Sequence, residues 1–131
     1  MTNNLMALGL WRQALLASVR RPGPDLTARQ LALLLTVYLT HPPHTVRGLA
    51  ASLNVSKPAI TRALDRLSIL GFIRRKRDDA DKRSVLVQRT VKGSVYLSEF
   101  AQIVIDAGAV HPADLAAMVA EQMSQPAAQV A

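Results

Sequence analysis

The strongest constraint on this chain is a break at Asn54. Before it, Val46, Leu49, Ala50 and Leu53 recur at helical spacing and give one apolar face. After it, Ser56 is a good N-cap and Pro58 falls in a first helical turn, where its missing N–H costs nothing. Ile60, Leu64 and Leu67, with Ala63, then form a second apolar face. Asn tolerates the left-handed conformation that ends a helix, so Thr45 to Leu67 reads as two short helices joined by a tight turn. Lys57, Ala59, Thr61, Arg62, Asp65 and Arg66 fall largely on the other faces of the second helix. Small, hydroxyl and basic residues near the start of the second of two such helices define a helix-turn-helix.

Gly71 ends the second helix. Phe72 to Lys76 and Val85 to Gln88 read as two strands around the polar connection Arg77 to Arg83, which is too charged to be core. A helix-turn-helix followed by a basic hairpin is a winged helix. Here the sequence resembles the MarR family of bacterial transcription regulators. The resemblance rests on Leu49-Ala50, Val55-Ser56, Thr61-Arg62, Leu64-Asp65-Arg66-Leu67, Gly71 to Arg75, Asp78 to Asp81 with Arg83, and Thr90 with Gly93. It covers about residues 26–97. Three departures stand out: Arg89 where the family usually has Leu, Gly48 in place of a polar helix former, and short terminal helices.

Charge placement agrees with a DNA-binding face. Residues 45–92 carry twelve basic groups against four acids, a balance of +8, while the rest of the chain has four and five, a balance of −1. No Lys or Arg follows Gly93. The major groove of duplex DNA admits one helix, so the second motif helix is expected to enter it through Lys57, Ala59, Thr61, Arg62 and Arg66. Arg62 can bond a guanine edge twice; the Thr61 methyl can meet thymine. Ser56 and the helix-start N–H groups suit a phosphate. Arg74, Arg75, Lys76, Arg77 and Lys82 are further DNA candidates, although strand alternation turns some of them elsewhere. The resemblance implies that Arg83 enters the minor groove, with Asp81 bracing the wing. The bland alternative is that Arg62 and Arg66 only solvate an exposed face and pair with Asp65.

The expected fold class is mainly α with a small antiparallel β wing, in a single domain over 1–131. Helices over 4–20 and 94–123 are assigned to dimerisation, 26–92 to the winged helix-turn-helix core, and 124–131 to a frayed tail. In the first helix Leu5, Leu8, Trp11, Leu15, Leu16 and Val19 lie near one stripe, widened by Met6 and Leu10. Thr27 with Gln30 is a capping box for a helix whose inward face is Leu31, Leu34, Leu35 and Tyr38, with Leu33 and Val37 buried on further sides. His41-Pro42-Pro43-His44 stops that helix. Thr90 caps a helix over about 91–107, with Val95, Phe100, Ile103, Val104 and Ala107 as its apolar positions and Gly108 as its end. A last helix, with Leu115, Met118 and Val119 apolar, is expected from His111-Pro112 to about Met123.

With no cysteine, disulfides, thiolate metal sites and cysteine nucleophiles are excluded. The three histidines sit beside prolines, and no nucleophile motif or phosphate-binding glycine loop is present. The expectation is therefore no enzyme, no cofactor and no metal, in a cytoplasmic chain without signal peptide or membrane span. The expected partners are double-stranded DNA and a second copy. The resemblance leaves open a small-molecule effector, since relatives often bind small anionic aromatics; no residue here identifies one. The rival function is a winged-helix interaction module, or a nonspecific DNA-binding protein.

Overall fold

The structure is a computed structural model that describes residues 2–109, 117, 120 and 121. Its elements run α1 (Thr2–Arg20), α2 (Ala28–Leu39), β1 (His44–Thr45), α3 (Val46–Leu53), α4 (Lys57–Ile69), β2 (Ile73–Arg77), β3 (Val85–Arg89) and α5 (Val91–Ala109). It is mainly helical with a small three-stranded antiparallel sheet. Two compact units are distinguished: Met1–Asp25 with Glu99–Ala131, and Leu26–Ser98. Of the expected last helix, Ala117, Ala120 and Glu121 are described and helical; its other residues and the tail lie outside the described residues.

Local chemistry accounts for the helix ends of the second unit. Thr27 and Gln30 satisfy each other's backbone N–H groups at 3.1 and 3.0 Å, which starts α2. The Gly48 N–H donates to Thr45 Oγ1 at 2.9 Å and starts α3. A Cβ on Gly48 would lie only 3.0 Å from that oxygen, so the glycine gives the cap room. Asn54 adopts φ 53° and closes α3. Ser56 caps α4 through the Ala59 N–H. Gly71, at φ 80°, ends α4: its N–H donates to Ser68 O, and Phe72 N–H donates to Leu67 O. That pair of bonds is the Schellman closure.

The core of this unit is made where α2, α3, α4 and the sheet meet. Leu33, Leu34, Val37, Leu49, Ile60, Leu64 and Leu67 are fully buried, beside Phe72, Ile73, Val87 and Tyr96. The inward face of α2 is thus Leu33, Leu34 and Val37, while Leu31 and Leu35 are half-buried. Leu31 and Leu35 lie a step round the helix from the true centre of that face. On α5 it is Tyr96, stacked on Phe72 with ring centroids 4.3 Å apart, that enters the core, whereas Val95 is exposed. Gly108 does not end α5, which includes it. An isolated glycine weakens a helix without forbidding it.

β3 lies between β1 and β2, with His44 opposite Val87 and Arg75 opposite Val87 on the other side. β1 was not expected, because two residues carry no periodicity. β2 is an edge strand, and its run Arg74 to Arg77 carries the charges that discourage a further strand from adding there.

Two polar anchors join the wing to the helices. The Tyr38 hydroxyl donates to the Phe72 carbonyl at 2.7 Å, lies 3.1 Å from the Thr90 carbonyl, and accepts the Thr90 N–H at 2.9 Å. Thr90 Oγ1 donates to Gly71 O at 2.7 Å and accepts the Gly93 N–H at 3.0 Å. Arg89 is the second anchor. Its Nε donates to Val37 O and its Nη2 to Thr40 O, both at 2.9 Å, and its guanidinium lies 5.8 Å from the Tyr38 ring centroid. α2 has no basic residue in its own last turn, so Arg89 supplies the cation that its free carbonyls favour. The residue that departs from the family pattern thereby closes α2.

Gly93 packs where a side chain cannot go: a Cβ there would run into the Tyr38 hydroxyl and the Phe72 carbonyl. Gly93→Ala is expected to lower stability by about 1–3 kcal/mol, the usual cost of overpacking. Urea unfolding followed by circular dichroism measures it. An unchanged midpoint would mean that α5 can move off both the Tyr38 hydroxyl and the Phe72 carbonyl at no cost.

Candidate nucleic-acid interface

α4 sorts its residues by helical geometry. Ala59, Ile60, Ala63, Leu64 and Leu67 are buried, and Lys57, Pro58, Arg62, Asp65 and Arg66 are exposed. Ala59 departs from expectation. It is 7% exposed and packs inward, which leaves its methyl little surface to offer a base. Thr61 is half-buried, with Lys57 one turn before it. Ser56 is exposed and spends its hydroxyl on the helix cap.

The wing hairpin pairs in register, Ile73 with Arg89, Arg74 with Gln88, Arg75 with Val87, Lys76 with Leu86 and Arg77 with Val85. Directly paired residues share a sheet face. Arg75 and Arg77 therefore lie on the face of Ile73 and Val87, and Arg74 and Lys76 on the opposite one. The four cations do not converge. The Arg74 guanidinium donates to Gln88 Oε1 at 3.0 Å and borders a separate depression with Pro42, Pro43, His44 and Leu86.

What converges is a groove of about 490 Å³ between the start of α4 and the wing. Lys57, Thr61, Arg75, Asp81 and Arg83 line it, together with Thr45, Val46, Arg47, Ser84 and Val85. Arg75 reaches across to Asp65 on α4 at 2.7 Å. The ion pair links strand to helix, and it takes up the one acid on the exposed face of α4. Arg62 and Arg66 are thus not the partners of Asp65 in this structure. Both partners are partly exposed, so the pair adds only about 0–1 kcal/mol; its effect is on orientation. Arg47 and Thr45 reach the same groove from α3 and its cap, and sequence reasoning did not place them there. The signal available was the basic residue in the first turn of the first motif helix.

At the wing tip, Asp81 Oδ1 accepts the Arg83 N–H at 3.1 Å and Asp78 Oδ1 accepts the Ala80 N–H at 3.0 Å. Ser84 N–H donates to Asp81 O, and Asp78 N–H to Ser84 O. These bonds give a charged connection a defined path. Lys82 and Arg83 are exposed on it. Among the described residues no group of three or more potential ligands could hold a metal ion, and no helix is long and apolar enough to cross a membrane.

This arrangement defines a winged helix-turn-helix with a cationic groove. Comparison with known proteins agrees with it: the MarR family model matches residues 26–85. Wild-type MarR from E. coli in its apo form is 28% identical, with a TM-score of 0.61 over 99% of this chain and 84% of that one. A cysteine-to-serine mutant of E. coli MarR complexed with operator DNA is 27% identical, with a TM-score of 0.61 over 99% and 81%. A mutant of MepR from S. aureus shares the fold, with a TM-score of 0.70 at 21% identity over 92% and 86%. No curated protein sequence matches the chain at a significant level.

Asp81 is expected to act on the wing through its acceptor oxygen. In Asp81→Ala the Arg83 amide should exchange its hydrogen with solvent faster, and in Asp81→Asn, which keeps an oxygen there, at nearly the native rate. Amide exchange followed by NMR reads both; equal protection in the alanine variant would remove Asp81 as a brace.

Proposed function

We propose that this chain is a sequence-specific double-stranded-DNA-binding transcription regulator, a homodimer that represses by occupying its promoter. The observation that carries the reading is the joint placement of Lys57, Thr61 and Arg83 around one groove, with Arg62 and Arg66 exposed on the same helix. The N-terminal half of α4 would enter the major groove. Arg62 would bond a guanine edge, while Lys57, Arg66 and the α4 N-terminus would meet bases and phosphates. Arg83 would enter the adjacent minor groove, where a narrow A·T tract attracts Arg. Arg75, already paired with Asp65, is better read as linking helix and wing than as a free phosphate contact. Arg74 and Lys76, on the other sheet face, would touch only DNA that curves around the wing; Arg77 and Lys82, near the tip, remain phosphate candidates. The solved complex of E. coli MarR with operator DNA supports a duplex as partner.

The first unit supports self-association. Leu8, Trp11, Leu15 and Val19 recur at three- and four-residue steps along α1, and each leaves 43% or more of its surface exposed. Gly9 and Ala14 are the residues of that helix that are buried. A continuous apolar stripe of this kind on a helix is suited to a second apolar surface. The charge pattern agrees, since no cation follows Gly93 to serve DNA. A two-fold dimer would read a pseudo-palindrome with half-sites about one helical turn apart.

Sedimentation at micromolar concentration is expected to give twice the chain mass for the wild type and the single-chain mass for the double variant Trp11→Glu, Leu15→Glu. A wild-type monomer would contradict the two-half-site arrangement.

Arg62→Ala tests specific reading. A bidentate guanine contact is worth about 1–3 kcal/mol of discrimination. The variant should lose affinity for a selected site and relax its preference at one symmetric pair of positions, with little change on random duplex. A uniform loss on all duplexes, with the salt dependence flattened by about one counterion, would make Arg62 a phosphate contact.

A further inference from the structure

We infer that Pro58 and Thr61 form an apolar notch for the 5-methyl group of a thymine in each half-site, which makes Pro58 a specificity-determining residue. The inference rests on the proposed reading that α4 enters the major groove.

Lys57, Pro58, Thr61 and Arg62 border an open depression on the outer face of α4. Pro58, Thr61 and Arg62 stand at helical steps of three and four, so they are neighbours on one face. In the first two turns of α4 the other apolar side chains, Ala59, Ile60 and Ala63, are buried. Pro58 is exposed and is the one apolar side chain that those turns offer outward. Its ring presents only carbon and hydrogen, and beside it Thr61 can present a methyl. The notch is therefore carbon-lined between two cations.

That surface matches one base. In the major groove only thymine carries an apolar group, its 5-methyl, next to the O4 acceptor. Lys57 and Arg62 are donors without acceptor capacity, which suits O4 of thymine and O6 and N7 of guanine. Cytosine and adenine would instead place an amino donor against these cations. A polar edge pressed on the proline ring would also lose its water without gaining a partner. The thymine should thus lie next to the guanine that Arg62 reads. Pro58 also suits the first turn of a helix on conformational grounds alone. The two roles separate experimentally, because alanine starts a helix well yet removes the ring.

The experiment begins with selection of preferred duplexes from random DNA by the wild-type protein. Each thymine of the selected half-site is then replaced by deoxyuridine, which deletes the methyl and keeps every hydrogen-bonding group. At one position, substituted in a single half-site, the wild type should bind about three- to fivefold more weakly, the effect expected for exposing one methyl. The variants Pro58→Ala and Thr61→Ser should each bind the two duplexes more nearly equally, with α4 intact by circular dichroism. Indifference of the wild type to deoxyuridine at every position, or a selected half-site without thymine, would overturn the notch and leave specific binding standing. Full discrimination retained by both variants would overturn it too. Selection that yields no preferred sequence would overturn the proposed function and the notch together.

Discussion

The Tyr38 hydroxyl is the constraint on which the second unit depends. It reaches from the end of α2 to the carbonyl that precedes β2 and to the backbone that starts α5. Those two points bracket the wing in sequence. With them held, the hairpin can only project from one place, and the Ile73 and Val87 side chains stay in the core. The knot needs Gly93, because no other residue lets α5 approach that closely, and Thr90, whose hydroxyl serves both Gly71 O and the Gly93 N–H. Arg89 extends the same junction to the carbonyls of Val37 and Thr40. Polar groups that burial would otherwise leave unpaired are satisfied here by one another, which gives the junction a single geometry.

From that junction outward, charge is distributed by strand register rather than by composition. Four consecutive cations in β2 look equivalent in sequence, but pairing with β3 divides them between two sheet faces. Arg75 then meets Asp65 on α4, so an ion pair of modest energy links strand and helix whose separation the buried core sets. Asp81 and Asp78 turn their carboxylates toward the wing's own N–H groups. Positive charge along the groove and the wing tip is thus presented by Arg47, Lys57, Arg62, Arg66, Arg77, Lys82 and Arg83, while Asp65, Asp78 and Asp81 hold backbone and strand in place.

Much of this was legible in the sequence. Caps and breaks depend on residues next to each other in the chain, so Thr27 with Gln30, Asn54, Ser56 and Gly71 could be read directly. The buried face of α4 followed from one period. What was not legible came from contacts over long separations. Nothing near Arg89 indicates that it closes a helix ending fifty residues earlier, and nothing near Arg75 indicates Asp65. β1 is too short to carry a pattern. Ala59 illustrates a further limit: a small apolar residue beside Ile60 fits either edge of the buried face, and packing against the rest of the unit decides it. Tyr96 displaced Val95 for a related reason, since one step along α5 is enough to exchange core for surface.

The proposed cationic groove reads sequence as well as charge. Phosphate contacts weaken steeply with salt and are blind to sequence, whereas base contacts keep their discrimination as the salt rises. The most direct measurement is the affinity of the wild-type protein for a selected duplex and for a scrambled duplex of the same composition, at a series of salt concentrations. Both affinities should fall with salt while the selected duplex stays the tighter by at least about a thousandfold. Equal affinities at every salt concentration would contradict sequence reading and leave only an electrostatic surface.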